Sequence, residues 1–224
     1  MRHLVLFTLL IGVVSLPACK KTIPDPPTPP PYLSTTAGNT WEYRQTDVTT
    51  TSSTDYTLTA TNRDTLVGTR SYRIFTNSRG GANAYFAQNG NDYYTFRTLG
   101  IALGNSAVEN LYLKENAPAG TTWSESLSLT VPGVPFAIPV TVSYRIEEIG
   151  LTRTVNGTPY ADVIRVKTTL SSSLIPPSGL TTDIEDFYAR RVGAIESKVI
   201  INIAFMGVNQ STNTRTILLR ATLL

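Results

Sequence analysis

Val140-Thr-Val-Ser-Tyr-Arg-Ile-Glu147 sets four apolar side chains (Val140, Val142, Tyr144, Ile146) in strict alternation with four polar ones (Thr141, Ser143, Arg145, Glu147). A period of two sends the first set to one face of an extended chain and the second to the other, which is the pattern of a half-buried β-strand. Asp55-Tyr-Thr-Leu-Thr-Ala-Thr61 repeats it, with Tyr56, Leu58 and Ala60 opposite Asp55, Thr57, Thr59 and Thr61. Outward from these two, similar segments lie near 40–49, 71–77, 83–88, 92–98, 121–130, 160–169, 185–191 and 214–222, punctuated by Gly80-Gly81, Asn89-Gly90 and Asn156-Gly157. Gly and Asn tolerate the positive φ that tight hairpins demand, so the pattern predicts an all-β fold of about ten to twelve antiparallel strands. Ser106 to Asn116 is the one stretch with a helical alternative, through Val108, Leu111 and Tyr112, although Leu111 and Leu113 would serve a strand equally well.

Val199-Ile-Ile-Asn-Ile-Ala-Phe-Met206 is apolar on both faces apart from Asn202, so it must be covered on both sides. It reads as a central strand of a sandwich, or as part of an open or half barrel whose concave face lines an apolar cavity. In the second case Val199, Ile201, Ile203 and Phe205 belong to the wall.

The two halves of the chain carry the same marks in the same order. Gly38-Asn-Thr-Trp41 corresponds to Gly120-Thr-Thr-Trp123, the turn at Gly68 followed by Tyr72 to the turn at Gly157 followed by Tyr160, and Tyr85-Phe-Ala87 to Phe187-Tyr-Ala189. The order predicts two similar β units. Trp41 to Gly68 spans 27 residues and Trp123 to Gly157 spans 34, while Gly68 to Tyr85 spans 17 and Gly157 to Phe187 spans 30. The second unit is therefore longer, and the surplus is assigned to two proline-bearing loops, 131–139 and 171–180. These loops add Phe136, Ile138, Leu174 and Ile175, the candidate ligand- or partner-binding residues.

At the N-terminus, Arg2, an apolar run from Leu4 to Val14 and small residues before a cysteine have the layout of a secretory signal, residues 1–18. The run is shorter than the roughly 20 residues a bilayer span needs. Leu16-Pro-Ala-Cys19 resembles the lipobox of bacterial lipoproteins, which implies cleavage before Cys19 and acylation of Cys19. Residues 19–36 follow as a lipidated cysteine and tether with six prolines between Lys20 and Thr36, a composition that favours extended polyproline II. Residues 37–224 form the single all-β domain. Lys20 after the cysteine implies, by the same resemblance, the outer membrane, with the periplasmic face favoured over the cell surface.

The Gly-x-x-Trp openings, the Gly68-Thr-x-x-Tyr72 hairpin and Asp186-Phe-Tyr-Ala-Arg-Arg-Val-Gly193 together resemble a broad group of uncharacterised outer-membrane lipoproteins of the Bacteroidota type. Some of that group are similar in shape to periplasmic lipoprotein carriers, open barrels with an apolar concave face.

Composition excludes several chemistries. The only His is His3 and the only Cys is Cys19, so residues 37–224 cannot build a Ser-His-Asp or Cys-His nucleophile system or a His-bearing zinc site. None of Lys114, Lys167 and Lys198 has a serine three residues before it, and no glycine-rich phosphate loop occurs. A net charge of +3 makes no case for nucleic acid. Paired carboxylates remain, with Asp183-Ile-Glu-Asp186 the densest cluster, and Tyr85, Tyr93, Tyr94 and Tyr188 are candidates for stacking on sugar rings. The expectation is a non-catalytic, lipid-anchored envelope protein without a cofactor or metal, which binds an amphiphilic ligand or an envelope protein. A glycan-binding accessory lipoprotein and a carboxylate-based hydrolase are the alternatives.

Overall fold

The computed structural model describes residues 29–98, 107–130 and 135–224. The signal segment, Cys19 and the first part of the tether lie outside the described residues, as do the first four residues of the 131–139 loop.

Among the described residues twelve strands follow one another as an antiparallel meander. The first six are β1 (Thr40–Asp47), β2 (Ser53–Val67), β3 (Arg70–Asn77), β4 (Ala84–Asn89), β5 (Asp92–Thr98) and β6 (Ala107–Lys114). The second six are β7 (Thr122–Leu129), β8 (Ile138–Val155), β9 (Thr158–Ser171), β10 (Leu180–Ala189), β11 (Gly193–Phe205) and β12 (Val208–Thr222). The two sequence units are thus two six-stranded meanders. Trp41 and Trp123 each stand second in the first strand of their unit, and the two aromatic-Ala triplets fall in β4 and β10. Ala107–Lys114 is a strand, so the helical alternative for that stretch is not realised.

The sheet order runs β6-β5-β4-β3-β2-β1-β12-β11-β10-β9-β8-β7, and the sheet curls into a nearly closed barrel. The units join through β1 and β12, whose register pairs run from Thr40↔Thr222 to Asp47↔Thr214. By the repeat, β6 and β7 should form the matching junction, yet among the described residues no ladder pairs them. That is the barrel's unsealed seam. The open-barrel expectation holds in this form: among the described residues, eleven of the twelve neighbour relations are hydrogen-bonded ladders and one is not.

Alternation decides which side chains face the lumen. Val140, Val142, Tyr144 and Ile146 of β8 face inward with Ile164 and Val166 of β9 and Tyr188 of β10, and all seven are buried. A second cluster gathers Trp41, Tyr43, Phe75, Ile195 and Leu218, with Trp41 at 2% exposure. The Asn156-Gly157 turn, both residues at positive φ (48° and 79°), reverses the chain between β8 and β9 in the geometry a two-residue hairpin requires. Beyond a register shift near Glu148, the tip of that hairpin is pinned to β11 and β12: Glu196, 6% exposed, accepts from Arg153 Nε at 2.7 Å and Arg215 Nε at 2.9 Å.

The residues just before β1 pack against the barrel end formed by the β10–β11 turn. Tyr32 is 2% exposed; its backbone N–H donates to the Tyr93 hydroxyl at 2.9 Å and its own hydroxyl donates to the Asp162 carbonyl at 3.1 Å. Arg190 lies over the Tyr32 ring, donates to the Pro30 carbonyl at 2.9 Å and pairs with Glu115 and Asp162. This end is plugged by aromatic rings, Tyr112 meeting Tyr93 and Tyr188 at centroid distances of 6.3 and 5.4 Å.

Candidate functional site

The opposite end of the barrel carries an apolar pocket, and every residue lining it belongs to the second unit. Leu129 closes one side from β7, Ile138 and Val140 stand next to it on β8, and Leu170 and Leu180 follow on β9 and β10. Ile201, Ile203 and Phe205 of β11 with Val208 of β12 complete the wall, and Gln210 is the single polar member. The cavity measures about 80 Å³.

The pocket is one-sided because the second unit is taller. Where β3 and β4 have 8 and 6 residues, their counterparts β9 and β10 have 14 and 10. The surplus assigned above to two loops therefore lies largely in lengthened strands, because extra residues that keep the alternation extend a ladder and bury apolar surface, whereas an isolated loop would do neither.

The four candidate residues divide. Ile138 and Ile175 are buried, at 5% and 8% exposure, and line the pocket. Phe136 and Leu174, at 42% and 43%, stand exposed in the connections that carry them. Met206, missed by the sequence reading, adds a third exposed apolar side chain (58%) in the turn between Phe205 and Val208, both of which line the pocket. A large apolar side chain in a two-residue hairpin turn, before Gly207, was the signal available. The structure thus brings Ile138, Ile175, Ile201, Ile203 and Phe205 together as a wall and sets Phe136, Leu174 and Met206 on its rim.

Deeper in the barrel the lining turns polar. Asp186 pairs across strands with Ser197 and shares the face of Tyr188; it is enclosed by protein yet keeps accessible surface, as a side chain lining a lumen does. Burial pushes its carboxyl up to about 6, against the opposing effects of the Ser197 hydrogen bond and the Arg97 charge. Glu125, inward on β7, is also pushed up by burial, offset by the Leu111 N–H.

At the seam, side chains replace the missing ladder. Trp123 Nε1 donates to the Leu111 carbonyl at 2.7 Å, and Leu111 N–H donates to Glu125 Oε1 at 2.7 Å. With its amide nitrogen turned toward the carboxylate, Asn110 donates to Glu125 Oε2 at 3.2 Å. Both main-chain groups of Leu111 are thereby satisfied without a neighbouring strand, which blunts an edge that would otherwise pair with another chain. Trp123 itself stacks on Tyr144, ring centroids 5.3 Å apart and 11° from parallel.

The sugar-stacking candidates do not form a platform. Tyr93 and Tyr188 are buried, Arg70 lies 3.4 Å over the ring of Tyr94, and Tyr85 meets Phe96 edge-on. Asp183 is salt-bridged to Lys198 at 2.6 Å, and those contacts hold its carboxyl below the usual range. A wider, open groove of about 600 Å³ between Trp123, Arg145 and Lys167 carries ionic groups paired among themselves or with Asp183. Among the described residues no group of three or more His, Cys, Asp or Glu could hold a metal ion.

Fold and site together define a twelve-stranded meander barrel with one unsealed seam and an apolar pocket at one end. No protein-family model matches the chain, and no curated protein sequence does. Among solved structures it is similar to a "putative lipoprotein" of Parabacteroides distasonis (TM-score 0.49, 9% identity, covering 86% of this chain and 99% of that one). It is also similar to a "putative exported protein" with a YmcC-like fold from Bacteroides fragilis (TM-score 0.43, 8% identity, 87% and 100% covered).

Proposed function

We propose that the protein is a non-catalytic envelope lipoprotein, held by acylated Cys19 at the periplasmic face of the outer membrane, whose barrel binds an amphiphilic ligand. One observation carries this reading: the taller second unit presents an apolar wall at one barrel end, with Phe136, Leu174 and Met206 exposed in the connections beside it. An apolar pocket with exposed apolar side chains in the connections around it is a place where a folded domain binds an apolar ligand. The pocket measures about 80 Å³ and Gln210 is its single polar lining residue, so it suits an aliphatic chain. The polar part of such a ligand stays at the rim. Orientation agrees with a tether: the chain enters at the plugged end beside Tyr32, and the pocket lies at the opposite end.

Native mass spectrometry of the full chain purified from a lipid-containing lysate tests the reading. A retained small amphiphile is the expected result, and loss of that mass on replacing Ile203 by Asn ties it to the pocket. A clean apo mass, together with no uptake of added fatty acid, would overturn it.

A second reading has one observation in its favour. Asp186 and Glu125 both face the lumen and both have raised proton affinity, as a carboxylate hydrolase needs of its acid. Glu125, however, is engaged with Leu111 N–H. Turnover of chromogenic glycosides or esters that is lost in Asp186→Asn would favour this reading over the first.

A further inference from the structure

The bore of a β-barrel is set by the number of its strands and their register, so it cannot widen without breaking ladders. Among the described residues eleven ladders enclose this barrel, and the twelfth neighbour relation, β6 with β7, has none. Its counterpart in the repeat, β1 with β12, is paired along the whole of β1. Across the seam, the edge is held by the Trp123 indole on the Leu111 carbonyl, the Glu125 carboxylate on the Leu111 N–H and the Asn110 amide on the same carboxylate. These contacts can be exchanged for water without unpairing any strand.

The position of the seam matters as much as its weakness. β7 carries Trp123, Glu125, Leu127 and Leu129 on one face, and Leu129 is an end wall of the apolar pocket. Parting β6 from β7 therefore exposes that wall to the side. Such parting gives a long aliphatic chain a way around the Tyr112–Tyr188 contact, which crosses the lumen beyond the pocket.

We propose that the β6–β7 seam is the lateral opening through which an aliphatic chain passes into the lumen, and that Trp123 and Glu125 are its latch. This rests on the amphiphile reading above. The geometry favours a chain sliding in sideways over threading through the end, because the described seam flanks β7 from Trp123 toward the pocket while the Tyr112–Tyr188 contact closes the lumen beyond the pocket.

The test uses the full chain carrying Cys19→Ser, so that introduced thiols are the only ones, with Asn110→Cys and Glu125→Cys bridged by a short bis-methanethiosulfonate. Uptake of cis-parinaric acid is followed by stopped-flow fluorescence. Bridging is expected to slow uptake by at least about tenfold, and cleavage of the bridge with reductant to restore it. Uptake by the bridged chain at the unbridged rate would overturn the seam while leaving the pocket standing. Failure of the unmodified chain to take up the probe would overturn the amphiphile reading and the seam's role with it. Should the double variant not fold, Trp123→Phe decides: it keeps the ring on Tyr144 and removes the indole N–H, so faster uptake, by about threefold, is expected and an unchanged rate overturns the proposal.

Discussion

Trp41 and Trp123 hold equivalent places in the two units, yet their indoles do different jobs: Trp41 Nε1 donates to the Val192 carbonyl at 2.6 Å from inside the core, and Trp123 Nε1 donates to Leu111 at 2.7 Å across the seam. Trp41 also packs on Phe75, with ring centroids 5.4 Å apart. Removing the first should cost core packing, and removing the second chiefly a hydrogen bond. Trp41→Ala is expected to lower unfolding stability by about 4 kcal/mol. Trp123→Phe should cost about 1 kcal/mol. Urea denaturation of both variants measures the difference, and equal losses would contradict the assignment of Trp123 to an edge.

Asp186 should make stability fall as pH rises. Its folded pKa, about 6, lies above the ordinary aspartate value, so between roughly pH 4 and 6 the folded state keeps a proton that the unfolded chain has released. The folded state is then favoured at low pH, and the favour is lost as pH climbs through 6. Asp186→Asn should equal the parent at pH 4 and exceed it by about 2 kcal/mol at pH 7.5. Chemical denaturation at the two pH values, compared as a difference, isolates this group.

Glu196 has the opposite sign. Its contacts with Arg153 and Arg215 lower its pKa despite the opposing effect of burial, so its contribution is present above the ordinary glutamate range and is lost as pH falls below it. Since Arg215 is half-exposed, the clamp is discounted for solvent screening, and Glu196→Gln is expected to cost about 2 kcal/mol at pH 7 and less near pH 3. Hydrogen exchange should show the loss at the β8–β9 hairpin tip first.

Tyr32 ties the chain before β1 to the plugged end. Tyr32→Ala should reduce stability by about 3 kcal/mol and free the preceding segment. Limited proteolysis should then cut near Leu33 in the variant at protease concentrations that spare the parent. Equal resistance would show that Arg190 alone holds the segment through Pro30 and Glu115.

The rim should be separable from the fold. Phe136, Leu174 and Met206 are exposed, so replacing all three by serine should leave the thermal midpoint nearly unchanged, each surface substitution counting for less than about 0.5 kcal/mol. Fatty-acid binding measured by fluorescence titration should fall several-fold. A parallel loss of midpoint would place these side chains in the core.

Strand content was legible wherever one face is wet and the other dry: β2 and β8 show the alternation openly, and both Trp residues with their preceding glycines mark the same point in each unit. The lengths Trp41 to Gly68 and Trp123 to Gly157 even announced that the second unit is larger. Where the surplus went was not legible, because a lengthened β9 and a longer loop have the same residue count. Met206 was hidden for a related reason: composition shows an apolar turn but not what stands beneath it.

From the sequence alone come the all-β class, the two-unit repeat, the absence of histidine chemistry in residues 37–224 and the apolar character of Val199–Met206. Those follow from local periodicity and residue type, which act within a few residues of chain. The tertiary structure alone decided that β1 pairs with β12 while β6 and β7 do not, that Tyr32 plugs one end, and that the apolar wall comes from one unit. Each depends on groups far apart in sequence meeting at bonding distance, as when Trp41 reaches Val192 or Tyr32 reaches Asp162, and no local pattern records which distant partner a hydrogen-bonding group will find.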